Sequence, residues 1–437
     1  MFAAVNAKPA VVRVLPYIPA VIALGALASH LLYPMLTKPL RVDAQPLTVV
    51  TGWGGSGIAA WLIYAATMSA AGLCYLAAIR KARRRTIVRG ALVATVFASL
   101  IAAFAFRFAF SSDAYAYAAY GALAASGENP YVPHTFPPAQ VANAQWTSAI
   151  GFEWPSLPAC VYGPLFIELA RSIVLLTHFD LPQTIVALRL MEIVAFSAAI
   201  ALIPDALVAA IVGLNPVVLT TVAEGHNDAL LLLVLVAAYL LAQKRRTAGG
   251  LLAGLSALLK ATGGVVALGL AAAFGSRRFF WSTVVGIAIA VLVQLAVTRL
   301  AGGYRPWVAT DFVGTPEAAI AIAMRGVIAL VFVLWALHCT GRGERVRALA
   351  AVTMAVWALY PNDYPWYGVW LLPLAALTLD EPEGPALLAL TFSSVLRYLS
   401  DVYGFAPAAP WLEVVVVAVP LFVLAWRTRS TEKLLPA

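Results

Sequence analysis

Apolar residues run along this chain in blocks near the length a helix needs to cross a bilayer, separated by short clusters of Lys and Arg. The first blocks fall near residues 12–36, 56–79 and 88–110. Nine more follow near 183–203, 205–221, 226–243, 279–299, 320–339, 346–360, 366–379, 385–400 and 410–426. The pattern predicts an all-α integral membrane protein with about 12 transmembrane helices. Residues 249–274 do not fit a single crossing, because Arg245 and Arg246 precede them and Arg277 and Arg278 follow. One of those pairs would then lie on the wrong side of the membrane. Lys260-Ala261-Thr262-Gly263-Gly264 interrupts the segment near its middle, which predicts a re-entrant hairpin buried within protein.

Composition agrees, with 62% hydrophobic and 11% charged residues among 437. The net charge of +9 comes from Lys and Arg in the loops, where they set topology and meet anionic headgroups; nucleic acid is not an expected partner. By the positive-inside rule the runs Arg80–Arg89, Lys244–Arg246, Arg342–Arg347 and Arg427–Lys433 are cytoplasmic. Asp113 and Gly225–Asp228 then face the outside. Cys74, Cys160 and Cys339 lie far apart and suggest neither a disulfide framework nor a zinc site. Lys8, Arg13 and the triplet Ala26-Leu27-Ala28 mimic a signal peptide, but with so many blocks following an uncleaved first helix is expected. Residues 1–437 read as a single polytopic membrane domain, with no soluble domain and no internal repeat.

The candidate chemistry lies in the outer loops, above all in 111–178, too long to be a mere connection. Ser111 or Ser112 caps a helix starting near Asp113, and Gly127 with Asn129-Pro130 ends it. Asp113, Tyr117, Tyr120 and Ala124 share one face, which predicts an amphipathic helix at the membrane surface with a carboxylate and two phenols along one groove. An Asp that merely complements the helix dipole explains Asp113 equally well. His226, Asn227 and Asp228 open another helix on the same side, where Asp228 again has capping as its simpler role. His226 and Asp228, two residues apart, point away from each other on a helix, so no metal site is expected.

Lys260 is costly where it lies, by roughly 2.5–3.5 kcal/mol at a helix centre, unless it meets an anion. A lipid phosphate would satisfy it, as would a structural acid such as Glu168 or Glu192. Arg397, near an outer helix end, has Asp401 four residues on as a local partner. Tyr364, Trp366 and Tyr367 belong to an aromatic outer loop that reads either as an interfacial belt or as a stacking platform for sugar rings or a polyprenyl tail. Gly52, Gly54 and Gly57 fit GxGxxG but follow no strand, and neither a P-loop nor a His-Glu-x-x-His motif appears. Machinery for using a nucleotide directly is therefore missing.

These residues, in order, resemble a family: Asp113 followed by Gly127-Glu128-Asn129-Pro130-Tyr131, Tyr162-Gly163-Pro164-Leu165, Asn215-Pro216 before Gly225-His226-Asn227-Asp228, the Leu259-Lys260-Ala261-Thr262 break, and Tyr364-Pro365-Trp366-Tyr367. The chain is similar to the polytopic GT-C glycosyltransferases, and within them to the bacterial polyprenyl-phosphomannose-dependent mannosyltransferases. The resemblance implies juxtamembrane helices over an outer cavity, the second running from Tyr162 to about Thr177. It implies inverting transfer of a sugar, mannose by this likeness, from a polyprenyl phosphate to a glycan or glycolipid acceptor. Asp113 then matches the general base, although some relatives carry two adjacent acids where this chain has Ser112 and Asp113. Lys260, Arg397 and His226 are candidates for the donor phosphate, and Tyr117, Tyr120, Asn227, Asp228, Tyr364, Trp366 and Tyr367 for the sugars. Membrane lipids are expected partners, with no cofactor or metal, in a monomer of the bacterial inner membrane facing outward. A secondary transporter or lipid flippase would also have a dozen helices and a broken one with a buried Lys. Such proteins keep their polar residues near the midplane, whereas here they gather in the outer loops.

Overall fold

The computed structural model describes residues 15–36, 48–49, 54–83, 88–132, 134–135, 146, 156–157, 159–300, 316–359, 364–400 and 408–432. It is an all-α fold in which the only β pairings among these residues are two two-residue ladders and one isolated bridge. Among the described residues, five helices are long and apolar enough to cross a bilayer: Gly57–Arg80, Leu181–Leu202, Arg277–Thr298, Glu317–Gly341 and Ala409–Arg429. Shorter apolar helices, including Arg89–Phe104 and Pro365–Leu377, occupy positions where hydropathy predicts further crossings.

Two expected helices come out differently, each for a local reason, and a third segment breaks where it was expected to. The block at 88–110 is helical only over Arg89–Phe104; it contains Arg107, and the chain turns extended so that Phe108 and Ala109 pair with Thr48 and Val49. The block at 205–221 is two helices, Ala206–Gly213 and Pro216–Glu224, bent by 62°. Asp205 and Asn215 each cap one of them with a side-chain oxygen, and Pro216 starts the second where no amide hydrogen is needed. At 249–274 the predicted break is present: Arg246–Leu255 passes through a 3-10 turn into an extended Lys260, and a new helix runs Ala261–Phe274.

The largest apolar core joins helices at 17–36, 54–82, 89–104 and 206–224 with those between 316 and 432, and a second core is separate from it. That second core is built from the helices Asp113–Ala125, Pro164–Leu176 and Leu181–Leu202, with Trp146 fully buried among them. The Asp113 helix is therefore not a surface element. Every residue from Ala114 to Leu123 is buried, and Gly121 lets the Pro164–Leu176 helix approach closely, since a methyl group there would overlap the Ala170 backbone. Helical periodicity grouped Asp113 with Tyr117, whose hydroxyl reaches it, but could not show that the helix is covered on every side.

Candidate active site

Four segments meet at one end of this core. The first is the start of the Asp113 helix, where Ser112 is the capping residue and the Ser111 hydroxyl accepts the Asp113 amide at 3.2 Å. The second is the turn at Gly225, whose φ of +101° closes the Pro216–Glu224 helix; the Gly225 and His226 amides reach back to Val222 and Thr221. The third is the pairing of Tyr162 with Lys260, reinforced by the Gly163 amide on the Leu259 carbonyl at 3.0 Å. The fourth is the aromatic stretch from Tyr364 to Trp370.

Gly163 is fixed by that third contact, because a methyl group there would overlap the carbonyl of Leu258. Gly163→Ala should cost about 1–3 kcal/mol through overpacking. Gly90, with open space around it, supplies the control. Melting in detergent is expected to drop by several degrees for Gly163→Ala and to change little for Gly90→Ala; equal melting would contradict the close approach.

Two ion clusters form side by side. In the first, His226 is buried, with Nδ1 3.2 Å from Asp113 Oδ2 and Nε2 3.5 Å from Glu224 Oε2. Tyr117 donates its hydroxyl to the same Asp113 oxygen at 3.3 Å. Burial by itself would lower the imidazole pKa, but the two carboxylates outweigh it and raise the value to about 9. Burial acts on Asp113 in the opposite sense, yet His226, with Lys260 and Tyr117 adding to it, holds the carboxyl below its ordinary value. At neutral pH this is an imidazolium facing an ionised carboxylate, whose side chain keeps 26% of its surface open to solvent.

In the second cluster the Lys260 ammonium donates to both Asp228 oxygens at 3.1 Å and to Asn227 Oδ1 at 3.3 Å. It also lies 4.9 Å from the centre of the Tyr367 ring and 5.5 Å from that of Trp370. Its acid is thus Asp228, not Glu168, which pairs with Arg171 at the surface, nor Glu192, which accepts the Leu230 amide. His226 and Asp228 do face different partners.

A column of rings leads away from His226. Trp366 stacks on the imidazole at 4.1 Å, Tyr364 stacks on Trp366 at 4.3 Å, and the Arg397 guanidinium lies 4.5 Å over Tyr364. Arg397 approaches Glu413 at 3.7 Å, and Arg325 binds the other oxygen of that acid at 2.9 Å. Its expected partner, Asp401, lies outside the described residues. Tyr117 and Tyr120 do not line an open groove: both are buried, with Tyr117 packed edge-on against Tyr162 and Phe166.

Sequence reasoning missed Glu224, Trp370, Arg325 and Glu413. Glu224 directly precedes the Gly225-His226-Asn227-Asp228 motif, and an acid before a turn glycine was the available signal. Nothing in the sequence pointed to Glu413 as the partner of Arg397, since it lies 16 positions away in the next helix.

Comparison with known proteins adds the following. Residues 19–277 match the family described as Alpha-(1->6)-mannopyranosyltransferase, N-terminal domain. The chain is also 25% identical over 335 residues to the curated Alpha-(1->6)-mannopyranosyltransferase B of Corynebacterium glutamicum, a match covering 61% of this chain and 55% of that protein. The chain thus spans about half the length of the curated relative it matches. No solved structure matches it.

Proposed function

Because the chain belongs to the family of alpha-(1->6)-mannopyranosyltransferase N-terminal domains, we propose that it transfers a mannosyl group from a polyprenyl-phosphate donor to the 6-hydroxyl of a glycan or glycolipid acceptor. The single observation that carries the mechanism is the solvent-open carboxylate of Asp113, ion-paired to a buried His226. A general base must be ionised and within reach of the proton it takes. Here the imidazolium keeps Asp113 ionised, while Tyr117 fixes one oxygen and leaves the other to receive the acceptor hydroxyl. His226 is thereby the charge partner of the base rather than a phosphate ligand. Lys260, steered by Asp228 and Asn227, is the cation that would meet charge growing on the departing lipid phosphate. The Trp366 and Tyr364 rings, stacked in a column between His226 and Arg397, wall the site beside the base, and a sugar or the first isoprene units would meet their edges.

A lone base and direct displacement invert the anomeric centre. An α product therefore implies a β-linked donor. In this reading about twelve crossings and the 249–274 hairpin place the site at the outer face of a bacterial plasma membrane, and the protein acts as a monomer.

The pH dependence tests the pairing. His226 has a folded pKa near 9, above the ordinary value of about 6.5, so its contribution to stability is complete below about 6.5 and disappears as pH rises through 9. Asp113 is shifted downward, so its contribution is present above its ordinary value of about 3.9 and is lost only as pH falls below that. Transfer is expected to fall above about pH 9, and His226→Gln should abolish that alkaline limb while slowing the reaction at pH 7. An unchanged alkaline limb in the variant would remove His226 from the mechanism.

A further inference from the structure

The opposite end of the molecule carries a second feature that mannosyl transfer does not use. Gln243, Lys244, Arg245, Arg246 and Arg278 are among the residues that line a concavity of about 620 Å³. It lies on the side that the basic loops mark as cytoplasmic, and all four of its cations are exposed. None of them has an acidic partner among the described residues. The sequence gives the reason: between Asp228 and Asp311 there is not one carboxylate. Lys260, the other lysine of this stretch, already has its partner in Asp228.

Two structural details add to bare charge. Arg246 begins the Arg246–Leu255 helix and Arg278 lies in the first turn of the Arg277–Leu300 helix, so two helix N-termini border the hollow beside the C-terminus of the Asp228–Lys244 helix, a net excess of one positive dipole end added to the four cations. These helices run close together, with Gly250, Gly254 and Gly286 allowing backbone to approach side chain and backbone. Below Arg278 the same helix presents Trp281, Val285, Ile289 and Leu292 at spacings of three and four, all exposed. A cationic hollow continued by an apolar stripe, with a tryptophan at the junction, has the form of one lipid: an anionic head above and acyl chain below.

We propose that this hollow is a binding site for an anionic glycerophospholipid of the inner leaflet, its phosphate held by Arg245, Arg246 and Arg278 and its chains lying along the Trp281 stripe. The site is remote from Asp113 and does not depend on the proposed transfer reaction.

The test uses the full chain, purified in detergent, with phosphatidylglycerol titrated in and bound lipid counted by native mass spectrometry. Phosphatidylcholine and inorganic phosphate are titrated in parallel. Each charge removed is expected to weaken phosphatidylglycerol binding about fivefold, so Arg246→Gln/Arg278→Gln should lose more than tenfold. Trp281→Ala should weaken the lipid and leave any phosphate binding unchanged. Arg429→Gln, at another basic helix end, should behave as wild type. The proposal is overturned if phosphatidylcholine binds as tightly, if inorganic phosphate binds as tightly as the lipid, or if Arg429→Gln loses as much as the double variant. Melting curves and protease accessibility of the loops, measured on every variant, separate loss of the site from misfolding or inverted insertion.

Discussion

Asp113→Asn is expected to slow mannosyl transfer by about a hundredfold to ten-thousandfold, the range supplied by a positioned general base. The substitution is nearly isosteric and retains an oxygen for the Tyr117 hydroxyl, so packing around the helix start should survive. What disappears is the proton acceptor and the charge opposite His226. The imidazole pKa should then fall from about 9, because burial continues to lower it while one of its two carboxylates is gone. Initial rates at saturating donor measure the first effect and NMR titration of the histidine the second. A variant as fast as wild type would remove Asp113 as the base; a slow variant with an unmoved histidine would keep the base but break its link to His226.

Lys260→Met should be the most destabilising change in the site. Asp228 is buried and receives both of its ion contacts from this ammonium, so the variant strands a carboxylate, at a cost of about 3–5 kcal/mol. Loss of activity in that variant alone would therefore say little about catalysis. Lys260→Met/Asp228→Leu removes both charges and should recover most of the melting temperature. If Lys260 stabilises the departing phosphate, the double variant remains deficient in transfer although it is folded. Recovery of both stability and rate would make the pair purely structural.

The sequence was most informative where a single residue type has a single physical meaning. Lys260 marked a break and it stands where it was expected, whereas the start signal in Asn215-Pro216 was overrun by a hydropathy block that ran unbroken through 205–221, and the stop signal in Gly225 went unread beside it. Asp113 at the start of a helix was legible for the same reason, since Ser111 and Ser112 precede it. What local pattern could not supply was partnership across the chain. Lys260 meets Asp228 from a segment 32 residues earlier, and His226 meets Asp113 across more than a hundred residues. Periodicity also misjudged the Asp113 helix, because Gly121, silent in a hydrophobic pattern, is where the Pro164–Leu176 helix comes against it. In the same way Arg107 shortened a predicted helix that hydropathy carried on to residue 110.

The stereochemistry of transfer tests the account most directly. Purified protein is given β-linked polyprenyl-phosphate mannose and a mannoside acceptor, and the new linkage is read by NMR. Direct displacement assisted by Asp113 predicts an α-(1->6) product formed without any nucleotide. A β product, or a reaction that proceeds only with a nucleotide sugar, would contradict it.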